Sequence, residues 1–253
     1  MKRFYHMLAW LTLFSIAMGF LETAVVVYLR ELYYPDGFQF PLAPIKPSIA
    51  LCEILREAAT IIMLAGAGIM AGRNRAERFA CFVYAFGIWD IFYYVFLKAL
   101  LGWPESLLTW DILFLIPIPW VGPVLAPVLI SLTLILFALA AMYFTERGLD
   151  SRMVFGERML FFTGCFIVIV SFMWDYAEYV NRVAGGRLWV PGSENDLFEE
   201  VARYIPSHYN WNMFMLGESI ILTAVALLIR RMRNKLLVAG RHIPYSNRKI
   251  LIK

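Results

Sequence analysis

Six apolar runs, each long enough to cross a lipid bilayer as a helix, dominate this chain. A helix rising 1.5 Å per residue needs about 20 residues to cross about 30 Å of hydrocarbon. Hydrophobic residues make up 61% of the sequence and its mean hydropathy is +0.66, values typical of polytopic membrane proteins. Because the runs are unbroken, they predict helices and not a β-barrel. The predicted spans cover residues 7–29, 48–71, 79–101, 121–144, 159–181 and 211–229.

The positions of the basic residues predict how these helices are oriented. Lysine and arginine concentrate in short loops on the cytoplasmic side of a membrane. Here they precede the first run, occupy the second and fourth connections and fill the C-terminal segment. We therefore predict that both termini are cytoplasmic, with a transmembrane domain at residues 1–230 and a basic cytoplasmic tail at 231–253. The net charge of +4 then indicates contact with anionic membrane lipids, and no nucleic-acid partner is predicted.

Two connections on the predicted outer side carry further structural signals. Residues 105–119 contain an apolar stretch that is too short to span the bilayer, followed by prolines that interrupt the backbone. This pattern predicts a re-entrant or interfacial segment, for which a short helix fits best. Residues 194–205 place apolar side chains at spacings of four opposite acidic ones, which predicts an amphipathic helix on the outer surface. The predicted fold is an all-α membrane bundle with these two additions.

Seven carboxylates lie inside the predicted spans, whereas the basic residues there are Arg56 in the second span and Lys98 at the end of the third. An ionised side chain at the centre of the hydrocarbon costs about 2.5–3.5 kcal/mol even on lenient insertion scales, so we expect these groups to face one another or a water-filled cavity. In the predicted topology all seven lie between the midplane and the outer surface. They are Glu22, Glu53, Glu57, Asp90, Asp175, Glu178 and Glu218.

Helical spacing places other polar side chains beside these acids. Residues three or four apart lie on the same face of a helix, so tyrosines follow the aspartates of the third and fifth spans on the same faces. A histidine and an asparagine one turn apart stand where the sixth span begins. The predicted supporting residues are Arg56, Tyr93, Tyr94, Tyr179 and Asn212.

Carboxylate and tyrosine oxygens with at most one histidine nearby suit hard or intermediate divalent metal ions. Haem is not expected, because only one histidine lies on the predicted outer side, and no glycine-rich nucleotide motif follows a predicted strand. The metal identity is not readable. The predicted ligands are first Asp90, Asp175, Glu178 and Glu57, then Glu53, Glu22 and Glu218, with His208 as a ligand or proton shuttle.

Three functions are compatible with such a site. The leading hypothesis is a metal-dependent enzyme embedded in the plasma or inner membrane, with a site that faces the extracytoplasmic side and activates water or oxygen. A cation or proton-coupled transporter would use the same acids as a binding site or relay. A non-catalytic subunit of a membrane complex would pair them with arginines of partner subunits, or with each other through shared protons.

Overall fold

Six long helices form the protein, and the structure, a computed structural model, describes residues 2–183 and 203–241. By length and composition each helix can cross a membrane, which confirms the predicted all-α bundle. The predicted amphipathic helix near 194–205 falls almost entirely outside the described residues, as does the tail after Arg241. The helices are α1 (Lys2–Tyr33), α2 (Pro47–Ala71), α3 (Arg75–Leu101), α4 (Leu125–Glu146), α5 (Phe155–Val183) and α6 (Trp211–Arg241).

α3 is the central helix of the bundle. α1, α2 and α4 all pack against it, whereas α5 and α6 pair with each other and α6 also contacts α4. The ends of α3 are fixed by local chemistry: the Asn74 side chain accepts a hydrogen bond from the backbone N–H of Glu77, and Gly102 ends the helix in the left-handed conformation with φ 68°. These caps set which residues of α3 reach each end of the bundle.

Small residues let neighbouring helices approach closely, as is common inside membranes. A Cβ atom added at Gly68 of α2 would lie 2.6 Å from the backbone nitrogen of Phe82 in α3. Gly164 of α5 and Gly217 of α6 face each other in the same way, because a Cβ at Gly164 would lie 2.7 Å from the Gly217 carbonyl oxygen. Both helix pairs are therefore in backbone contact where these glycines stand.

We expect Gly68→Ala to lower the free energy of unfolding by about 1–3 kcal/mol, because the added methyl group must push α2 away from α3. Gly66→Ala, two residues away on the same helix, has open space around the added Cβ and should leave stability unchanged or raise it by up to about 1 kcal/mol. Denaturant titration of the two purified variants in detergent measures the difference. Equal stabilities would contradict the close contact.

The segment between α3 and α4 forms a β-hairpin. Strand β1 (Trp110–Phe114) pairs antiparallel with β2 (Trp120–Pro123), with Asp111 opposite Gly122 and a register irregularity between Ile112 and Phe114. A short helix within 105–119 was therefore the wrong prediction. The prolines leave too few residues for a helix, whereas the aromatic and β-branched residues on either side of the prolines favour paired strands.

The hairpin is held by the helices around it. Two strands alone are at best marginally stable in water, and here β2 packs against α5 and α4 while Val121 and Asp111 are buried. The hairpin lies at the end of the bundle at which α1, α3 and α5 finish and α2, α4 and α6 begin. We call it the hairpin end. Backbone that is neither helical nor lipid-exposed is tolerated in membrane proteins when it is buried in protein in this way.

Ion pairs join the helices at the opposite end. The buried Glu77 carboxylate accepts hydrogen bonds from the backbone and side chain of Arg73, which also pairs with Glu146 of α4 at 3.1 Å. Arg231 of α6 makes two hydrogen bonds of 2.7 Å to Glu157 of α5. The basic residues that predict the orientation lie at this end, and its cytoplasmic placement stays a prediction.

Candidate functional site

A cavity of about 250 Å³ lies at the hairpin end of the bundle. Its walls come from the second half of α1, the first part of α2, the last part of α3, the loop 34–45 and the chain from β1 to Pro119. Most of the lining side chains are apolar or aromatic. The charged residues that line it are Glu22, Arg30, Glu53, Arg56, Glu57, Asp90 and Asp111.

Arg56 balances two of these carboxylates. Its Nε donates to Glu53 at 2.8 Å, and its Nη1 donates to Glu22 of the neighbouring helix α1. Thr60 adds a hydrogen bond of 3.3 Å to the second oxygen of Glu22. Because Glu22 lies on α1 while Arg56 and Thr60 lie on α2, this network ties the two helices together deep in the cavity.

Arg30 and Asp111 form a second charged group nearer the loop. The guanidinium lies 3.8 Å from Asp111 Oδ1 and stands over the rings of Trp103 and Phe38, at 3.8 and 4.5 Å from their centroids. Burial raises the pKa of Asp111 to about 6, although Arg30 and a hydrogen bond from Tyr94 act in the opposite direction. Neither Arg30 nor Asp111 was predicted for the site from the sequence.

Signals for this pair were present in the sequence. Arg30 follows an apolar run directly, a position from which arginine usually reaches the membrane surface. Asp111 stands alone in the apolar stretch between the third and fourth predicted spans. A lone aspartate inside an apolar stretch indicates a buried partner, and Arg30 at the outer end of the first span was an available base on the same side of the membrane.

Glu57 and Asp90 form no direct ion pair with a base in the described part of the chain. Both oxygens of Glu57 accept the backbone N–H of Leu115, at 2.9 and 3.0 Å, and Ser131 donates to Asp90 Oδ2 at 2.8 Å. Within residues 2–183 and 203–241 neither carboxylate forms an ion pair, and Asp90 Oδ1 has no hydrogen-bond partner. The two residues are only 6% and 7% exposed. The cavity wall therefore contains two buried carboxylates that form no ion pair within the described residues, although Arg56 attracts Glu57 at longer range.

Aromatic rings stand among these carboxylates. Trp89, Tyr93, Tyr94 and Phe114 all line the cavity, with the rings of the two tyrosines 5.0 Å apart. The negative face of an aromatic ring attracts a cation within about 6 Å, and most strongly where water is excluded. Tyr93 and Tyr94, predicted as supporting residues from their spacing to Asp90, thus lie in the same cavity as Asp90.

Asp175 lies elsewhere and is fully hydrogen-bonded. Its Oδ1 accepts from Ser207 Oγ at 2.9 Å and from the backbone N–H of His208 at 3.1 Å. Its Oδ2 accepts from the Tyr204 hydroxyl at 2.5 Å and from the Ser207 backbone N–H at 3.1 Å. The carboxylate therefore fastens the segment before α6 to α5, with His208 contributing its backbone and Tyr179 packing its ring against Tyr204.

Three further residues predicted for the site lie outside this cavity. Glu178 is exposed, and so is Asn212, whose neighbour Asn210 is the residue that caps α6 by accepting the Met213 N–H. Glu218 is buried between α4 and α6, where Thr133 donates to its Oε1.

The predicted metal site is not assembled in the described part of the chain. No three His, Cys, Asp or Glu residues there come close enough together to hold a metal ion. The reason is the packing order: α3 and α5 do not lie along each other, so Asp90 faces α4 and Asp175 faces the segment before α6. Of the predicted ligands, the cavity is lined by Glu22, Glu53, Glu57 and Asp90, and not by Asp175, Glu178, Glu218 or His208.

Comparison of the chain with protein-family models, with curated proteins and with solved structures gives no match. The six apolar helices support an integral membrane protein in contact with lipid.

Proposed function

We propose that this membrane protein binds an organic cation in the cavity at the hairpin end. One observation carries the proposal: Glu57 and Asp90 are buried carboxylates without an ion-pair partner among the described residues, and they stand in a cavity lined by aromatic rings. The cation would be a protonated or quaternary amine. In the orientation that the basic residues predict, it would reach the site from the extracytoplasmic half of the membrane.

The charges of the cavity favour a cationic ligand. Five carboxylates and two guanidinium groups line it, an excess of three acids. Arg56 pairs with Glu22 and Glu53 together, which leaves one negative charge over, Arg30 pairs with Asp111, and in the described part of the chain Glu57 and Asp90 form no ion pair. Since a buried charge without a partner is strongly unfavourable, a bound cation near Glu57 and Asp90 would stabilise the protein as well as the complex.

The surroundings of the two carboxylates suit an organic cation better than a metal ion. Divalent calcium or magnesium requires six or more oxygen ligands in a close shell, and both oxygens of Glu57 already accept the Leu115 N–H. An ammonium group makes fewer demands on geometry, because it can be held by one or two carboxylates and by ring faces such as those of Trp89 and Tyr93. The metal-dependent enzyme predicted from the sequence is therefore the competing hypothesis.

Benzyltrimethylammonium is a suitable probe, since it combines a fixed positive charge with an aromatic body. We expect it to raise the melting temperature of the purified full-length protein in neutral detergent, increasingly with concentration. Glu57→Gln or Asp90→Asn should weaken its binding at least about tenfold, which corresponds to about 1.4 kcal/mol. Thermal unfolding at a series of ligand concentrations measures both effects.

Glu178→Gln is the matched control, because it removes the same charge from an exposed position outside the cavity and should leave binding unchanged. Calcium, magnesium and manganese salts are tested in parallel. Stabilisation by a divalent ion but not by the ammonium compound would reject the proposal in favour of a metal site. Stabilisation by neither would favour the non-catalytic subunit.

A further inference from the structure

The side wall of the cavity contains a gap between α1 and α2. Both helices pack along α3 but touch each other over only a few residues. In the described part of the chain, Arg56 and Thr60 donate hydrogen bonds from α2 to Glu22 of α1, and Arg3 of α1 donates to the Ala71 carbonyl oxygen at the opposite end of the bundle. From Glu22 toward the hairpin end, the cavity is bordered by half-buried apolar side chains, Val26 and Leu29 on α1 and Ile54 on α2.

The gap lies between surfaces that face lipid. Tyr28 of α1 and Leu51 and Leu55 of α2 are 66%, 56% and 61% exposed, and they lie on helices apolar enough to span a membrane. Exposed apolar residues on such helices contact the hydrocarbon of the bilayer. An apolar chain between α1 and α2 would therefore stay in apolar surroundings from the lipid to the cavity.

The end of the cavity is covered by the loop 34–45. Within the loop, the Tyr34 hydroxyl accepts the backbone N–H of Ala43 at 2.9 Å, and Leu42 is buried against the cavity. Arg30 holds the Phe38 ring by the cation–π contact described above. Access through this end requires the loop to move, whereas the side between α1 and α2 is bordered by the apolar side chains of Val26, Leu29 and Ile54.

We propose that the ligand is an amphiphile with a cationic headgroup and an alkyl chain, and that it reaches the cavity from the bilayer between α1 and α2. This inference rests on the proposed function, since the headgroup occupies the site at Glu57 and Asp90. The acidic excess of the cavity complements the headgroup, and the apolar sides of the gap, formed by Val26, Leu29 and Ile54, complement the chain.

A photoreactive probe distinguishes entry between α1 and α2 from entry through the loop 34–45. The probe is a dodecyltrimethylammonium with a diazirine at about the sixth carbon of its chain, added to the full-length protein in neutral maltoside detergent. After irradiation, mass spectrometry locates the labelled residues, and excess benzyltrimethylammonium tests whether labelling depends on the headgroup site. We expect label on Val26, Leu29 or Ile54, reduced at least tenfold by the competitor.

The other outcomes distinguish the two proposals. Competed label on Tyr34, Phe38 or Leu42 would show that the chain leaves through the loop, which overturns the lateral route but keeps the cation site. Label that the competitor does not reduce anywhere would overturn both.

A pair of variants gives a second, independent measurement. Ile54→Trp fills the gap and should weaken binding of the dodecyl compound at least tenfold. Ile62→Trp, two turns away on the lipid-facing side of the same helix and 70% exposed, should leave it within twofold of the unchanged protein. Equal affinities for the two variants would overturn the lateral route.

Discussion

Arg56→Met should lower the free energy of unfolding by about 3–5 kcal/mol, the usual cost of removing one partner from a buried ion pair. The variant keeps an unbranched, flexible stem but removes the guanidinium group, which leaves Glu22 and Glu53 without their shared counter-ion in the interior of the bundle. It also removes the ion pair that joins α2 to Glu22 of α1. Equilibrium unfolding of the purified protein in mixed detergent micelles measures the loss.

The triple variant Arg56→Met, Glu22→Gln, Glu53→Gln removes the three charges together and should recover most of the lost stability, because no buried charge then lacks a partner. Arg75→Met is the matched control, since Arg75 is exposed and its loss should change stability by less than about 0.5 kcal/mol. If the single and triple variants unfold alike, the network does not stabilise the fold through its charges.

Asp175→Asn should lower the free energy of unfolding by about 2–4 kcal/mol, since hydrogen bonds to a charged group contribute about 1.5–3 kcal/mol each. The substitution keeps the shape of the side chain but replaces one acceptor oxygen with an NH₂ group. That group would face donors of Tyr204 and Ser207 or of Ser207 and His208, depending on its orientation. Thermal and denaturant unfolding of the purified variant in detergent measures the loss of stability.

Glu178→Gln serves as the control for Asp175→Asn. It removes one negative charge one turn along the same helix, but from an exposed side chain, and its effect should be near zero. Comparable losses in the two variants would mean that net charge near the hairpin end, and not the hydrogen bonds of Asp175, sets the stability. Limited proteolysis after Tyr204 or Tyr209 offers a local readout, because Asp175→Asn alone should expose this segment to cleavage.

The spans could be predicted from the sequence because hydropathy and length are properties of one continuous segment. All six predicted spans lie within or closely overlap the observed helices, although α1 and α6 extend well beyond residues 7–29 and 211–229. The polar ends of α1 and α6 cause this difference. A helix continues beyond the hydrocarbon as long as its residues favour the helical conformation and form hydrogen bonds or ion pairs. Arg231, for example, is bonded to Glu157 within such an extension.

Helical spacing predicted part of the candidate site and failed for the rest. It placed Glu53, Arg56 and Glu57 on one face of α2, and all three line the cavity. Spacing within a helix does not reveal which neighbour that helix has, so the partners of Asp175 could not be found. They follow it by about 30 residues, in the segment just before α6, at Tyr204, Ser207 and His208.

The hairpin shows a different limit. An apolar stretch of about ten residues, as in the chain before Pro117, is compatible with a short helix or with a strand, and periodicity alone does not decide between them. The pairing of β1 with β2 and the bond from the Leu115 N–H to Glu57 decide it here. Both depend on residues far apart in the sequence.

The tie between Glu22 and Arg56 has a consequence for biogenesis. The chain emerges from the ribosome with Glu22 first, and Arg56 follows 34 residues later. Helix α1 alone would carry the unpaired Glu22 carboxylate into the hydrocarbon, at about 2.5–3.5 kcal/mol. Helix α2 carries Arg56 already paired with Glu53 of the same helix. Inserted together as a helical hairpin, α2 supplies the counter-ion that α1 lacks. We therefore expect α1 and α2 to enter the bilayer together as a pair, with α1 released from the insertion machinery only after α2 has been synthesised.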